Sequence, residues 1–265
     1  MCGRYASSRR PEDLIEEFEV VAPRLNGPLA PDYNVAPTDQ VYAVMERPPR
    51  PEESATPAAE AEQAPLPERQ LRVVRWGLVP SWAKDPSIGS RMINARMETV
   101  AEKPAFRRAF ASRRCLLPAD GYFEWYATDQ LTAAGKPRKQ PFFIRPRDGG
   151  ILAMAGLYEL WRDPDRSDDD PDRWRWTATV ITTAAEDELG RIHDRMPLMV
   201  ERERWSDWLD PSVSARADLL GLLAPAAPGL LEAYPVSTAV GNVRNNGPEL
   251  VEPVPLTLTN EWAGQ

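Results

Sequence analysis

Apolar and polar residues alternate over several short runs of this chain. In WRWTATVIT (174–182), Trp174, Trp176, Ala178 and Val180 fall on one face with mostly polar residues between them, the period of a half-buried strand. VYAVM (41–45), LRVVRWGLV (71–79), QPFFIR (140–145) and ILAMAGLYELW (151–161) are further predicted strands. Helical spacing is rarer. PEDLIEEFEV (11–20) begins with Pro11 and acids in its first turn, and sets Leu14, Ile15 and Phe18 along one side. Residues 98–112, 184–191, 201–209 and 215–223 are the other predicted helices. Strands outnumber helices and do not alternate strictly with them, which predicts an α+β domain on a mainly antiparallel sheet with peripheral helices.

Two segments break the pattern. Residues 46–70 are rich in Pro, Ala and Glu and poor in large apolar side chains, a composition that cannot offset ordering entropy and predicts a mobile insertion. Residues 162–173 (RDPDRSDDDPDR) predict a second, solvated loop. Neither separates two cores, so 1–265 reads as one domain. Both segments are acidic and together carry most of the net charge of −8. Arginines recur through the remainder, which leaves room for a local basic cleft. No run approaches the roughly 18–20 apolar residues of a membrane span. The N-terminus lacks a charged region followed by an apolar stretch, which predicts a cytoplasmic protein. Two cysteines, Cys2 and Cys115, and one histidine are too few for a zinc site, and no metal or cofactor is expected.

Candidate chemistry begins with MCGR. Cleavage after Met1 would leave Cys2 with a free α-amine and a thiol on adjacent carbons. Their ordinary pKa values are about 8 and about 8.5, so both are available near neutrality. With an aldehyde the amine forms a Schiff base, and the thiol then closes a five-membered thiazolidine. The same group could serve as an acyl-transfer nucleophile with its own amine as base. In INARMET (93–99), Asn94, Arg96 and Glu98 share one face of an extended segment, suited to a phosphorylated sugar or to an ordinary strand surface. Glu124 lies between Phe123 and Trp125. There it is either an outward-facing strand carboxylate or one whose pKa desolvation raises toward a general acid and base. His193, the only histidine, heads a charged loop in IHDRMP, either a structural residue or a proton carrier. YNVAPT (33–38), RWGLVPSW (75–82) and VSTAVGNVRNNG (236–247) read as shaped loops, with Pro37 and Trp82 as rigid or flat surfaces.

In order along the chain, MCGR, YNVAPT, WGLVPSWA, INARMET, ADGYFEW, KQPFFI, AGLYE, IHDRMP and VGNVRNNG resemble the SOS response-associated peptidase (SRAP) family, from Cys2 to about Pro253. The resemblance implies a single barrel-like domain acting as a sensor and processor of abasic sites in single-stranded DNA. Cys2 would condense with the opened sugar into a thiazolidine DNA–protein crosslink that protects the lesion. It further implies that Asn94 holds the sugar, Glu124 shuttles protons, and His193 assists ring opening and crosslink reversal. Arg4, Arg96 and Arg195 would grip phosphates, while Pro37 and Trp82 stack against bases. Family members can carry two tryptophans where this chain has Trp82-Ala83, and an arginine where it has Pro104, with Lys103 the nearest substitute. The family name implies self-removal of whatever precedes Cys2, although an aminopeptidase could remove Met1. A monomer, associated with the nucleoid when bound to DNA, is expected.

Two rivals share part of this pattern. Class II glutamine amidotransferases, which are N-terminal-nucleophile amidohydrolases, also begin Met-Cys-Gly, a likeness of three residues. A non-covalent reader of modified cytosine would leave Cys2 a bystander.

Overall fold

The computed structural model describes residues 2–49, 66–185 and 189–255. The chain enters as strand β1 (Tyr5–Ser7), turns into helix α1 (Pro11–Glu17), and returns as β2 (Ala22–Arg24), β3 (Asp32–Val35), β4 (Gln40–Arg47) and β5 (Glu68–Trp76). A long loop leads to β6 (Asn94–Arg96) and α2 (Arg107–Ser112). Five strands follow: β7 (Arg114–Ala119), β8 (Gly121–Leu131), β9 (Pro137–Pro146), β10 (Leu152–Arg162) and β11 (Trp174–Ala184). Then come α3 (Leu189–Ile192), β12 (Arg195–Pro197), α4 (Trp205–Leu209), α5 (Arg216–Leu222) and β13 (Leu231–Pro235). No helix among the described residues is long and apolar enough to cross a membrane.

One sheet runs β13-β9-β8-β1-β3, the other β12-β11-β10-β7-β4-β5-β2. In the second, β11 also pairs in parallel with β5, Thr177 opposite Arg75 and Ala178 opposite Trp76. That pairing closes β5, β4, β7, β10 and β11 into a ring, so this part of the sheet leaves no edge open. The α+β, mainly antiparallel, barrel-like fold predicted above is therefore present. One apolar cluster fills the ring and includes Cys2, Tyr5, Trp76, Cys115, Met154 and Val180. A second lies outside it under the helices, with Leu14, Phe18, Phe110, Leu116, Trp205 and Trp208. Strands β7 and β10 are covered on both faces, which is why 151–161 reads as a continuous apolar run rather than an alternating one.

Several predicted elements change. The helix expected over 98–112 shrinks to α2, because Pro104 has no N–H to give and restrains the residue before it. The helix expected over 184–191 begins only at Leu189, with Ala184 still in β11 and 186–188 outside the described residues. The one over 201–209 divides into a 3-10 turn, Arg202–Arg204, and α4. Strand β7 runs on through Pro118 and Ala119, although Pro-Ala-Asp-Gly (118–121) is turn-forming sequence. Beyond the Val44–Leu116 bridge β7 has lost β4 as a neighbour, so Pro118 leaves no ladder bond unmade on that side. The expected insertion at 46–70 is narrower, since Glu46 and Arg47 pair with Arg69 and Glu68 inside the β4–β5 ladder. Its centre, 50–65, lies outside the described residues. The loop at 162–173 is not wholly solvated. Asp163 is buried and pairs with Arg175 and Arg166.

Arg114 locks the helical layer to the ring. Its guanidinium is buried and donates to the carbonyls of Trp208 (2.7 Å), Phe110 (2.8 Å), Ala111 (3.0 Å) and Asp210. These are the open C-terminal ends of α2 and α4, which a cation both satisfies and favours electrostatically. Burial lowers the Arg114 pKa to about 10, so it stays charged at neutral pH. Replacing Arg114 with methionine keeps the stem and strands those carbonyls. Urea unfolding should show a loss on the order of 3 kcal/mol, and Arg114→Lys should recover only part of it, because an ammonium does not span the fork.

Candidate active site at the chain terminus

The first described residues extend the line of β1 along β8. Tyr5 pairs with Tyr122, and Phe123 N–H donates to the Arg4 carbonyl at 2.9 Å. Cys2 is thereby laid beside Glu124, whose charge its thiol feels. Asn94 opens β6, which runs parallel to β11 with Asn94 opposite Val180. Its Nδ2 donates to the Cys2 carbonyl oxygen at 2.7 Å. Its Oδ1 is buried with no hydrogen-bond partner among the described residues, an acceptor available to a hydroxyl or an ammonium. Three strands distant in sequence thus meet at the second residue.

Electrostatics follow from burial. Cys2 is 0 % exposed among Tyr5, Trp76 and Tyr122. Burial first, and the Glu124 charge second, raise its thiol well above the usual range, so it stays protonated at neutral pH. Glu124 is itself buried, and desolvation pushes its carboxyl up to about 7. Both of its protonation states are then populated near neutrality, as a proton carrier requires.

His193 reaches the same corner because α3 packs on β8. Burial lowers its pKa, so the ring is neutral at pH 7. Its Nδ1 accepts the Arg195 N–H at 3.0 Å, which puts the ring proton on Nε2. Asp194 Oδ1 also lies 2.9 Å from Nδ1, but a nitrogen already accepting from the backbone cannot donate there, so this approach is not an ion pair. Asp194 also raises the Glu124 pKa, which places its carboxylate in the same field.

The cations are placed less uniformly. Arg96 is exposed on β6. Arg195 is mostly covered, with Nη1 on Glu98 Oε1 at 2.5 Å and Nη2 on the Thr182 carbonyl. That hydrogen bond holds Glu98 below the usual carboxylate range. Arg4 turns inward, giving Nη1 to Asn34 Oδ1 (2.6 Å) and to the Val240 carbonyl (2.9 Å). Lys103 is exposed in the turns ahead of α2, its carbonyl accepting from the Phe106 and Arg107 N–H groups.

Trp82 is 55 % exposed in the loop between β5 and β6. The base of that loop is pinched: Gly77 has φ +124°, and a Cβ there would sit 2.6 Å from the Gly89 carbonyl oxygen. Pro37, half-buried, sits in a turn bonded onto the same strand end, through Thr38 N–H to Trp76 O and Trp76 N–H to Asp39 O, both 2.9 Å.

Asn34 escaped the sequence reading. Its Nδ2 reaches the carbonyls of Val240, Asn242 and Asn245 and so fastens the 238–247 loop to β3. YNVAPT and VGNVRNNG signalled shaped loops, but nothing in either stretch says that they hold each other.

The class of site is thus a buried cysteine at the second position, with an amide, a carboxyl of pKa about 7 and a neutral imidazole around it. The family described as SOS response associated peptidase (SRAP) matches residues 1–243, and the chain belongs to it. It is 36 % identical over 252 residues to abasic site processing protein YoqW of Bacillus subtilis, covering 95 % of this chain and 99 % of that one. Abasic site processing protein YedK of Escherichia coli is 32 % identical over 259 residues, covering 96 % and 100 %. A solved structure from Bacteroides thetaiotaomicron shares the fold, with a TM-score of 0.73 at 24 % identity over 96 % of this chain and 100 % of that one.

A raised carboxyl has a stability cost with a definite sign. Between the ordinary 4.5 and about 7, folded Glu124 keeps a proton that the unfolded chain has lost. Stability therefore falls as pH rises through this window, and the cost is complete above it. Glu124→Gln removes the titration. In denaturant unfolding the variant should match the parent near pH 4.5 and exceed it by about 3 kcal/mol at pH 8.

Proposed function

We propose that this protein processes abasic sites in single-stranded DNA by covalent capture on Cys2. The observation that carries the reading is the Asn94 amide held against the Cys2 carbonyl, its own acceptor oxygen unfilled, beside a carboxyl with a pKa of about 7. Family membership and the names of the relatives, abasic site processing proteins, support the substrate.

The chemistry starts with hydrolysis of the Met1–Cys2 bond, by self-cleavage as the family name suggests or by an aminopeptidase. Asn94 Oδ1 then accepts a hydroxyl of the ring-opened sugar. The Cys2 amine adds to the aldehyde carbon, and protonated Glu124 gives its proton to the departing hydroxyl, releasing water and leaving an iminium. The Cys2 sulfur adds to that carbon while its proton passes to the Glu124 carboxylate, closing the thiazolidine. Because burial holds the thiol neutral, this last step needs a base close by, and Glu124 is the group whose charge reaches it. His193 acts in its protonated form, a stronger acid because burial lowers its pKa: it gives the Nδ1 or Nε2 proton to the ring oxygen while the Glu124 carboxylate takes the proton of the C1 hydroxyl during sugar opening, and it gives a proton to the sulfur during reversal. Arg4, Arg96, Lys103 and Arg195 contact phosphates, and Trp82 with Pro37 stacks against neighbouring bases. The activity is thus lyase-like toward the lesion and peptidase-like toward the chain's own start.

Intact mass spectrometry with an abasic single-stranded oligonucleotide should show the trimmed protein plus DNA less one water. Cys2→Ala, or an uncleaved N-terminal extension, should abolish the adduct, and its persistence in either would refute the mechanism. His193→Ala should form an adduct that is released severalfold more slowly, and unchanged release kinetics would remove His193 from reversal.

A further inference from the structure

The turn between α3 and β12 is held from both sides. His193 N–H donates to the Leu189 carbonyl at 3.2 Å, which ties it to α3, and Ala185 N–H donates to the Asp194 carbonyl at 2.9 Å. Arg195 then enters β12 opposite Ala184. With the backbone fixed on either side, the Asp194 carboxylate lies against the imidazole. Its Oδ1 is 2.9 Å from Nδ1, although the side chain is 86 % exposed.

In the resting tautomer that approach is unfavourable. Nδ1 accepts the Arg195 N–H at 3.0 Å, so a carboxylate oxygen faces a nitrogen lone pair at hydrogen-bond distance with no proton between them. A proton on Nδ1 reverses the relation. The ring then donates to Asp194 through a charge-assisted hydrogen bond, and the Arg195 N–H gives up its acceptor.

The charges that reach the ring come from several elements. The terminal amine and Lys139 on β9 oppose a further positive charge, and Asp194 favours one. Asp194 acts on Glu124 of β8 as well, favouring its protonated form, while Lys139 opposes it there. Arg195 and Glu98 alongside are committed to each other, Nη1 to Oε1 at 2.5 Å. One carboxylate thus supports both proton carriers of the site in the forms that act as acids.

We propose that Asp194 is a positioning residue for the abasic-site reaction, accepting a hydrogen bond from Nδ1–H of charged His193 and leaving Nε2 as the edge that serves as the acid. The Nε2–H bond breaks as its proton moves to the sugar ring oxygen, or to the sulfur during reversal, and the electron pair stays on the ring. What remains is a neutral imidazole with its proton on Nδ1, the tautomer that Asp194 holds and the Arg195 N–H cannot. Because the carboxylate is exposed, water beside it can take the Nδ1 proton while Nε2 is protonated again, which restores the resting tautomer. The role presupposes the chemistry proposed above, but the hydrogen bond does not, so the two can fail separately.

NMR tests the hydrogen bond without DNA. His193 is the only histidine, so its ring resonances are unambiguous. In Asp194→Asn, isosteric and uncharged, the His193 pKa should fall by about half a pH unit or more, and Asp194→Glu should restore part of the loss. An unchanged His193 pKa in Asp194→Asn overturns the pairing. Should that variant fail to fold, the parent decides. Its Asp194 carboxyl carbon must titrate with the His193 midpoint, and a resonance indifferent to that midpoint overturns the pairing. Release of the abasic-DNA adduct tests the positioning. In Asp194→Asn release should slow severalfold at pH 7, and the acid limb of its pH profile should move down by as much as the His193 pKa. Parental release with a shifted His193 pKa overturns the role in the reaction. A parent that forms no adduct overturns the proposed function and this role with it, while the NMR result still decides the hydrogen bond.

Discussion

Strand β11 is the constraint on which the architecture hangs. Along its length it pairs with β10 and β12 antiparallel, and with β5 and then β6 in parallel. The contact with β5 closes the ring. The contact with β6 delivers Asn94 to Cys2, and the one with β12 sets Arg195 at the opposite side of the same strand end. Registers in a closed ring are mutually dependent, because slipping one ladder by a single residue reverses every side chain on it. The geometry around Cys2 is therefore held by a whole barrel and not by local loops.

The site works against the stability of that barrel. A buried carboxyl at the edge of ionisation is a poor choice for packing alone. It loses solvation that the fold does not fully return. Arg114 shows what the chain does where only structure is at stake, since every direction of its buried guanidinium meets a carbonyl. Asn94 Oδ1, by contrast, is buried with no hydrogen-bond partner among the described residues.

The family model matches residues 1–243, and the relatives in B. subtilis and E. coli cover 95 % and 96 % of the chain. Basic side chains near the terminus are already partly committed, Arg195 to Glu98 and Arg4 to Asn34. Arg96 and Lys103 remain exposed. A phosphate would need to compete with Glu98 for Arg195, whereas Arg96 can meet one directly.

From the residues alone came the strand-rich class, the place of Cys2 next to the chain's first residue, and the aromatic neighbours of Glu124. These depend on sequence neighbours, which covalent geometry keeps close in any fold. Helix boundaries fared worse at 98–112, where a single proline outweighed the spacing of apolar residues. Sequence could name Cys2, Asn94, Glu124 and His193 one by one. Only the tertiary structure decided that Asn94 touches Cys2, that Glu124 is desolvated to a pKa of about 7, and that Arg4 turns inward. Burial and pairing belong to the assembled barrel, where segments nearly two hundred residues apart fix each other's dielectric and register.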